Sequence, residues 1–121
     1  MSRFTATDKL FRAVILQERP AICEHCRKDD GRMVYVSHIL AKGGEWARLR
    51  YTQTNVLLLC YFCHIHWAHK DPLGFTAWLK EYKGETIHDD LKLLARTMPK
   101  IDLRMTALCF KDQLTTQREG L

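Results

Sequence analysis

Apolar residues in the first twenty positions repeat with the spacing of a helix. The stripe predicts an N-terminal helix within residues 1–20 and consists of Leu10, Phe11, Val14 and Ile15. Thr7 with Asp8 is expected to cap this helix, since a side-chain oxygen there can accept a hydrogen bond from the first turn. Arg19 is expected to end it, because the residue before a proline avoids helical backbone angles.

The centre of the chain has the composition of short strands joined by turns. MVYVSHIL (33–40) is rich in β-branched and aromatic residues and predicts a strand, and NVLLLC (55–60) predicts a second short buried run. Residues 41–54 between them predict a loop, in which a Gly-Gly pair permits unusual backbone angles. Residues 23–32 predict a tight cysteine turn followed by a polar turn.

The last part of the chain has a helical pattern. A helix is expected from Cys63 onward and is broken at the Asp-Pro step at 71–72. Three further apolar stripes predict helices, of which the first stops at Gly84, the second at Pro99, and the third starts from an N-cap at Asp102. The stripes are Phe75, Trp78, Leu79 and Tyr82, then Ile87, Leu91, Leu94, Ala95 and Met98, then Leu103, Ala107, Phe110 and Leu114. They are expected to be core or a partner-facing surface.

The composition of the 121 residues is that of one compact domain, with 46% hydrophobic and 27% charged residues. No apolar run approaches the length that spans a bilayer, and the first residues lack the apolar core and cleavage site of a signal peptide. We therefore expect a cytoplasmic protein. In that reducing compartment, closely spaced cysteines are more often metal ligands than disulfides.

Positive charge is concentrated in the first seventy residues. Residues 1–70 contain eleven Lys or Arg and six Asp or Glu, whereas residues 71–121 contain eight of each, so the net charge of +5 lies entirely in the first part. A basic half joined to a neutral half suggests a polyanionic partner, of which nucleic acid is the commonest. The alternative is an ordinary solvated basic surface.

Four of the five cysteines form two CxxC pairs that are 33 residues apart. This double spacing predicts a zinc site whose ligands are Cys23, Cys26, Cys60 and Cys63. Four cysteines fill the tetrahedral coordination of zinc, so such a site is structural. Four separate buried thiols are the alternative. Cys109 stands alone and is expected to be a small buried residue of the last helix.

The six histidines need a separate explanation. His25, inside the first CxxC turn, and His88, on a helix, are expected at the surface. His38 is different, because it ends the predicted strand. Asn55 starts the return segment, and His64 directly follows the last paired cysteine.

This order, SHI…N…LCYFCH after a CxxC pair, resembles the HNH motif of the ββα-metal (treble-clef) nucleases over residues 23–69. The following DPLGFTAWLKEYKGETIHDDLKLLA is similar to the helical tail of small phage recombination nucleases of the NinG type. The resemblance implies an α+β fold, a small zinc-bound treble-clef core with helices on either side. Residues 1–20 would form the N-terminal helix, 21–70 the zinc-stabilised nuclease core, and 71–121 a helical extension.

The resemblance also implies residue roles. His38 would be the general base that deprotonates the attacking water, and Asn55 would hold the loop carrying His38 through backbone hydrogen bonds. His64 would bind a catalytic divalent ion, Mg²⁺ or Mn²⁺. The chemistry is sound, because a neutral imidazole with a pKa near about 6.5 accepts a proton at physiological pH. One metal ion supplies charge stabilisation at the phosphate and at the leaving oxygen.

The chain departs from the family at one position. Many HNH members have an Asp or His metal ligand just before the base, where this chain has Ser37, whose hydroxyl is a poorer ligand than a carboxylate. His69 or His66 could assist His64. In an α-helix neither lies on the face of His64, and the five-residue offset of His69 comes closer, so we prefer His69.

Basic residues flank the predicted site and are candidates for neutralising DNA phosphates without reading sequence. They are Arg27, Lys28, Arg32, Lys42, Arg48 and Arg50. Trp46 and Tyr51, interleaved with the last two, could pack against sugars or bases. For Trp46 we favour the alternative of a core residue that closes the loop.

The sequence leads to three hypotheses about function. The leading hypothesis is a metal-dependent HNH endonuclease of phage type that hydrolyses DNA, acting in recombination or on branched DNA. The rival is a non-catalytic treble-clef zinc module that binds nucleic acid, which Ser37 favours. The third is a protein-interaction module. In that case exposed apolar positions on residues 73–116 would dock a partner, and the helical extension is also a candidate homodimer contact.

Overall fold

The computed structural model describes residues 2–119, with side chains described through residue 116. The helices are α1 (Thr5–Glu18), α2 (Pro72–Lys83), α3 (Ile87–Thr97) and α4 (Leu103–Glu119), and the strands are β1 (Val34–His38) and β2 (Val56–Cys60). Short 3₁₀ turns cover Gly44–Leu49 and Gln53–Asn55, and a π-helix covers Phe62–Ala68. The predicted α+β class with a small antiparallel sheet is confirmed.

The chain divides into two compact units. One comprises Met1–Pro20 with Pro99–Leu121, and the other comprises Ala21–Met98. We call the second the central unit. It contains both CxxC pairs and all six histidines.

In the first unit, α1 packs against α4, and the rings of Phe11 and Phe110 stack with their centroids 5.5 Å apart. The cap predicted at Thr7 is wrong. The helix starts two residues earlier at Thr5, no side chain caps it, and Thr7 is buried inside it. The predicted end is confirmed, since Arg19 adopts extended backbone angles. Cys109 was expected to be buried, but it lies on an exposed part of α4.

The sheet of the central unit is two short strands in antiparallel register. Val34 pairs with Cys60 at one end, and His38 pairs with Val56 at the other. Every residue of β2 is buried, whereas in β1 only Val34 and Ser37 are buried. The register therefore places the first catalytic candidate and the second cysteine pair at opposite ends of the sheet.

The loop between the strands closes over a small apolar core with α3. Leu40 and Leu49 from the loop pack with Leu91 and Ala95 from the helix, and Trp46 packs against this cluster. The core role favoured for Trp46 is thus confirmed. The apolar stripe of α3 that the sequence predicts is also part of this core, because it covers the loop that follows His38.

The predicted helix boundaries after the second cysteine pair are also confirmed. The carboxylate of Asp71 accepts a hydrogen bond from the Gly74 amide at 3.0 Å, and Pro72 follows as the first residue of α2. Gly84 ends α2 with a φ of 115°, a region that favours glycine. Asp102 caps α4 by accepting from the Met105 amide at 3.0 Å.

Some apolar side chains remain exposed on the helices after the π-helix: Leu73, Leu93, Met105 and Leu108. Such positions are what a docking role for the helical extension requires, and a partner or a homodimer stays a prediction. Among the described residues, no helix has the length and apolar character needed to cross a membrane.

Candidate metal centre and histidine site

The four paired cysteines converge in the central unit. Their sulfur atoms all lie within 4.8 Å of one another, which confirms the predicted four-cysteine cluster. A tetrahedral ion with bonds of about 2.3 Å to sulfur separates its ligands by roughly 3.8 Å. The Sγ atoms of Cys26 and Cys60 are 3.9 Å apart. That distance fits ligands of one ion and is far beyond the roughly 2 Å of a disulfide.

The first cysteine pair lies on a tight turn. The Arg27 amide donates to the Cys23 carbonyl at 3.0 Å, and the Cys26 amide points at the Cys23 sulfur at 3.5 Å. Arg27 has a φ of 60°, a left-handed conformation that is uncommon outside glycine. This turn aims both sulfurs in one direction. The second pair begins at the last residue of β2 and continues into the π-helix.

Glu24 fixes the cysteine turn to the sheet, a role that the sequence analysis missed. Its amide donates to the Leu58 carbonyl at 2.8 Å, and its carboxylate accepts from the Leu58 amide at 2.6 Å. The same carboxylate accepts from the Tyr82 hydroxyl of α2 at 2.8 Å. The turn, β2 and α2 are thereby held together around the metal centre.

Local electrostatics act on the cluster in opposite directions. Burial raises the pKa of the Cys60 thiol, but hydrogen bonds from Cys63 and from the Arg32 guanidinium outweigh it and lower that pKa to about 7. Burial, together with the hydrogen bonds and charges of Cys60 and Cys23, raises the pKa of Cys63. The Cys60 thiolate therefore forms readily, whereas ionisation of Cys63 next to it is unfavourable. A divalent cation removes that opposition, which is the usual state of a four-thiolate site.

His25 is not the surface residue that the sequence suggested. Its ring stacks on Trp67 with centroids 3.6 Å apart and meets the edge of Trp78 at 5.1 Å. Its Nδ1 lies 3.3 Å from the Cys63 sulfur. Burial lowers the pKa of His25, so the neutral ring is favoured. An N–H at Nδ1 would donate to a metal-bound thiolate at this position.

His38 is held at the end of β1 with a defined proton. Its Nε2 lies 2.9 Å from the backbone carbonyl oxygen of Arg50. A carbonyl only accepts, so Nε2 carries the hydrogen, and in the neutral ring Nδ1 carries the lone pair. The ring is half-buried. This is the arrangement that makes an imidazole an oriented proton acceptor.

Asn55 is fully buried and joins the two ends of the loop that follows His38. Its Oδ1 accepts from the Leu40 amide at 2.8 Å, while its Nδ2 donates to the carbonyls of Leu40 at 3.0 Å and Leu49 at 3.3 Å. One side chain thus satisfies three backbone groups. The bonds fix the segment whose Arg50 carbonyl orients His38.

We expect Asn55→Ala to lower the free energy of unfolding by about 2–4 kcal/mol, because three buried backbone groups lose their partner. Urea unfolding of the zinc-loaded protein measures the loss. Thr54→Ala, at the exposed neighbouring position, is the matched control and should change stability by at most about 0.5 kcal/mol. A loss of that small size for Asn55→Ala would contradict the role assigned to the amide.

The π-helix brings His64 and His69 together. The His69 amide donates to the His64 carbonyl at 3.3 Å, a five-residue hydrogen bond, and the ring centroids are 4.6 Å apart. The expectation that a five-residue offset would not share a face was wrong, because it assumed α-helical geometry. His66 instead contacts Tyr61 and Phe62. Burial, followed by the charges of His69 and His38, lowers the pKa of His64, so the three imidazoles influence one another.

Among residues 2–116, whose side chains the structure describes, no third ligand joins His64 and His69. In that range the cysteine cluster is the only group of three or more His, Cys, Asp or Glu with gathered ligand atoms. Ser37 lies one residue before His38, and successive strand residues point to opposite faces. Its hydroxyl is buried and has no hydrogen-bond partner in the structure. The serine therefore adds no ligand on the histidine side.

Two of the six predicted phosphate-binding residues hold the loop instead of facing solvent. Arg50 is buried and donates to the Lys42 carbonyl at 3.5 Å, and Arg48 donates to the Met98 carbonyl at 2.9 Å. Their bonds tie the loop after His38 to itself and to the end of α3. Lys42 itself is exposed.

The other three basic residues lie near the first cysteine turn. Lys28 is exposed. Arg27 donates to the Tyr82 hydroxyl at 3.4 Å. Arg32 forms a two-point ion pair with Asp30, and its hydrogen bonds lower the pKa of that carboxylate to about 2. These cations lie beside the metal centre.

No protein-family model matches the chain, and neither does any curated protein or solved structure.

Proposed function

We propose that the central unit is a treble-clef HNH endonuclease that hydrolyses DNA phosphodiester bonds with the help of a divalent ion. The observation that carries the proposal is the oriented base: His38 has its Nε2 on the Arg50 carbonyl and acts electrostatically on His64. The four-cysteine cluster holds the π-helix that presents His64 and His69. DNA as the partner is supported by the exposed cations and by the basic charge of residues 1–70.

In the proposed reaction, Nδ1 of His38 takes a proton from a water molecule. The hydroxide oxygen bonds to phosphorus, the bond from phosphorus to the 3′-oxygen breaks, and that oxygen leaves with a proton from solvent. The products carry a 5′-phosphate and a 3′-hydroxyl. Asn55 and the Arg50 carbonyl keep the imidazole oriented through the reaction.

His64 and His69 would hold the catalytic ion. When bound, the ion supplies charge stabilisation at the scissile phosphate and at the leaving oxygen. Two imidazoles leave several coordination positions for water and phosphate. The four cysteines are not available for this ion, because all of them would be ligands of the structural zinc.

The ligand set predicts which ion works best. Mg²⁺ prefers oxygen ligands, whereas imidazole suits transition metals. We expect Mn²⁺ or Ni²⁺ to support DNA nicking at least about tenfold faster than Mg²⁺ at the same concentration, which corresponds to about 1.4 kcal/mol. Initial nicking rates in each ion measure this. Equal rates in Mg²⁺ would show that the phosphates and water, and not the histidines, select the ion.

The test of the proposal is the nicking of supercoiled plasmid by zinc-loaded protein with Mn²⁺. We expect open circles that DNA ligase reseals, because ligase needs a 5′-phosphate beside a 3′-hydroxyl. A plasmid that is retarded on a gel but stays uncut at every Mn²⁺ concentration would contradict the nuclease. It would favour the non-catalytic zinc module, for which the specific support is the missing third ligand at Ser37.

A further inference from the structure

An exposed aromatic surface lies on the central unit, and the proposed chemistry does not use it. Three rings from β1 and the start of the π-helix form it: Tyr35 at 37% exposure, Tyr61 at 56% and Phe62 at 63%. We call these three the aromatic platform. Met33, also exposed at 63%, lies beside them. Scattered exposed apolar residues are ordinary, but a contiguous group of rings marks a binding surface.

The rings of the platform are held in place by one another. Tyr35 and Tyr61 meet edge to face with centroids 6.4 Å apart. His66, also exposed, lies with its ring centroid 5.5 Å from the ring of Tyr61 and 5.7 Å from that of Phe62. The strand and the π-helix are rigid supports, and the metal centre fixes the second through Cys60 and Cys63. The platform is therefore presented without needing a partner to order it.

Two adjoining grooves combine these rings with positive charge. One, of about 520 Å³, is lined by the three platform rings together with Arg32. The other, of about 380 Å³, lies at the cysteine cluster, because Cys26, Cys60 and Cys63 line it together with Phe62, Lys28 and Arg32. Arg32 and Phe62 belong to both grooves, so one surface offers aromatic faces and two cations side by side. Asp30 also lines the first groove and partly neutralises Arg32 through their ion pair.

We propose that the aromatic platform binds the unpaired bases of a single-stranded stretch of nucleic acid, with Lys28 and Arg32 on its phosphates. The proposal rests on the proposed function, and it names the substrate feature that the nuclease recognises. Bases in a duplex are already stacked and cannot lie on a protein ring, whereas unpaired bases can. The cations distinguish this surface from a purely apolar docking face for protein.

The platform lies next to the proposed catalytic site along the chain. Phe62 and His64 are the two neighbours of Cys63 on the same π-helix. Side chains two residues apart point to different faces of a helix, and the ring of Phe62 packs with His66 whereas that of His64 packs with His69. The platform and the histidine pair therefore share one supporting segment on different faces.

The test measures binding separately from cleavage. A fluorescent twelve-nucleotide single strand and a blunt hairpin duplex with the same number of phosphates are titrated with zinc-loaded His38→Ala protein, and anisotropy gives both dissociation constants. We expect the single strand to bind at least about tenfold more tightly. Tyr61→Ala with Phe62→Ala should weaken single-strand binding by about 25-fold or more, since stacking on each ring contributes at least about fivefold, and should leave duplex binding unchanged.

Further variants keep the test independent of folding. Leu73→Ala removes an apolar side chain of α2 that is 84% exposed and lines neither groove, and it should change nothing. Tyr35→Ala lies outside the CxxC segment and should by itself weaken single-strand binding by about fivefold. Asp30→Asn removes the carboxylate that pairs with Arg32, and it should strengthen single-strand binding. Zinc content and the melting temperature are measured for each protein, so that a loss of binding without a loss of zinc is assigned to the rings.

Each outcome decides the proposal. Single-strand affinity that is unchanged in both the double variant and Tyr35→Ala overturns it. Self-association of the wild type that Phe62→Ala abolishes, with no effect on nucleic-acid binding, also overturns it and assigns the face to a second copy of the chain. If single-strand binding depends on the rings but the wild-type protein cuts no DNA, the result supports the platform and contradicts the proposed nuclease. If the protein cuts DNA but its single-strand binding does not depend on the rings, the result supports the nuclease and contradicts the platform.

Discussion

Replacing Cys60 with serine is expected to unfold the central unit. A structural zinc contributes roughly 10–16 kcal/mol in small zinc domains, which matches or exceeds the whole stability of about 5–15 kcal/mol of an ordinary domain. The rest of this unit offers little to replace it, because its sheet has two strands of five residues each. Circular dichroism should show the loss of cooperative melting, and prolonged treatment with a strong chelator, continued until the zinc has been extracted, should have the same effect on the wild type.

Cys109→Ser is the matched control for that experiment. Cys109 is exposed on α4 and has no part in the cluster. The variant should keep one zinc per chain and the wild-type melting temperature. A Cys60→Ser protein that melts cooperatively within a few degrees of the wild type would contradict the structural role of the metal.

Replacing His38 with alanine is expected to reduce plasmid nicking by at least about a hundredfold, since a positioned general base contributes about 10²–10⁴-fold. The fold and the zinc should survive, because the side chain is only half-buried and its hydrogen bond to the Arg50 carbonyl is worth about 1 kcal/mol. Initial nicking rates in Mn²⁺, with zinc content measured on the same samples, give the result.

His88→Ala is the control for His38, because it removes a half-buried histidine on α3 that lies outside the proposed site. Its nicking rate should equal that of the wild type. If His38→Ala also nicks at that rate, the base is another group and the mechanism proposed above is wrong.

The sequence predicts those features that follow from spacing along a single element. The cysteine cluster follows from two CxxC pairs, and the strand bounds follow from β-branched runs, within one residue for β2 and two for β1. The cap at Asp102 follows from a side-chain oxygen three positions before the Met105 amide. The break before α2 follows from the Asp71-Pro72 step, whereas the cap that Asp71 forms with the Gly74 amide was not predicted. In each of these cases the partners lie close in sequence or repeat a recognisable pattern.

The features that the sequence does not predict depend on contacts between distant segments. His25 looks exposed in its own turn, and it is covered only because Trp67 and Trp78 fold over it. Glu24 becomes a linker through Leu58 and Tyr82. The π-helix has no signal in apolar spacing, since its widened turn lies where the cysteine pair leaves β2 for the helix. Without it, the pairing of His64 with His69 could not be derived.

The most direct test of the account separates the two metals in one preparation. Zinc-loaded protein is treated briefly with EDTA, its zinc content is measured by native mass spectrometry, and the nicking rate is then followed with and without Mn²⁺. We expect one retained zinc per chain, no nicking without Mn²⁺, and nicking when Mn²⁺ is added. Nicking that needs no second ion, or a fully zinc-loaded protein that stays inert in Mn²⁺, would contradict it.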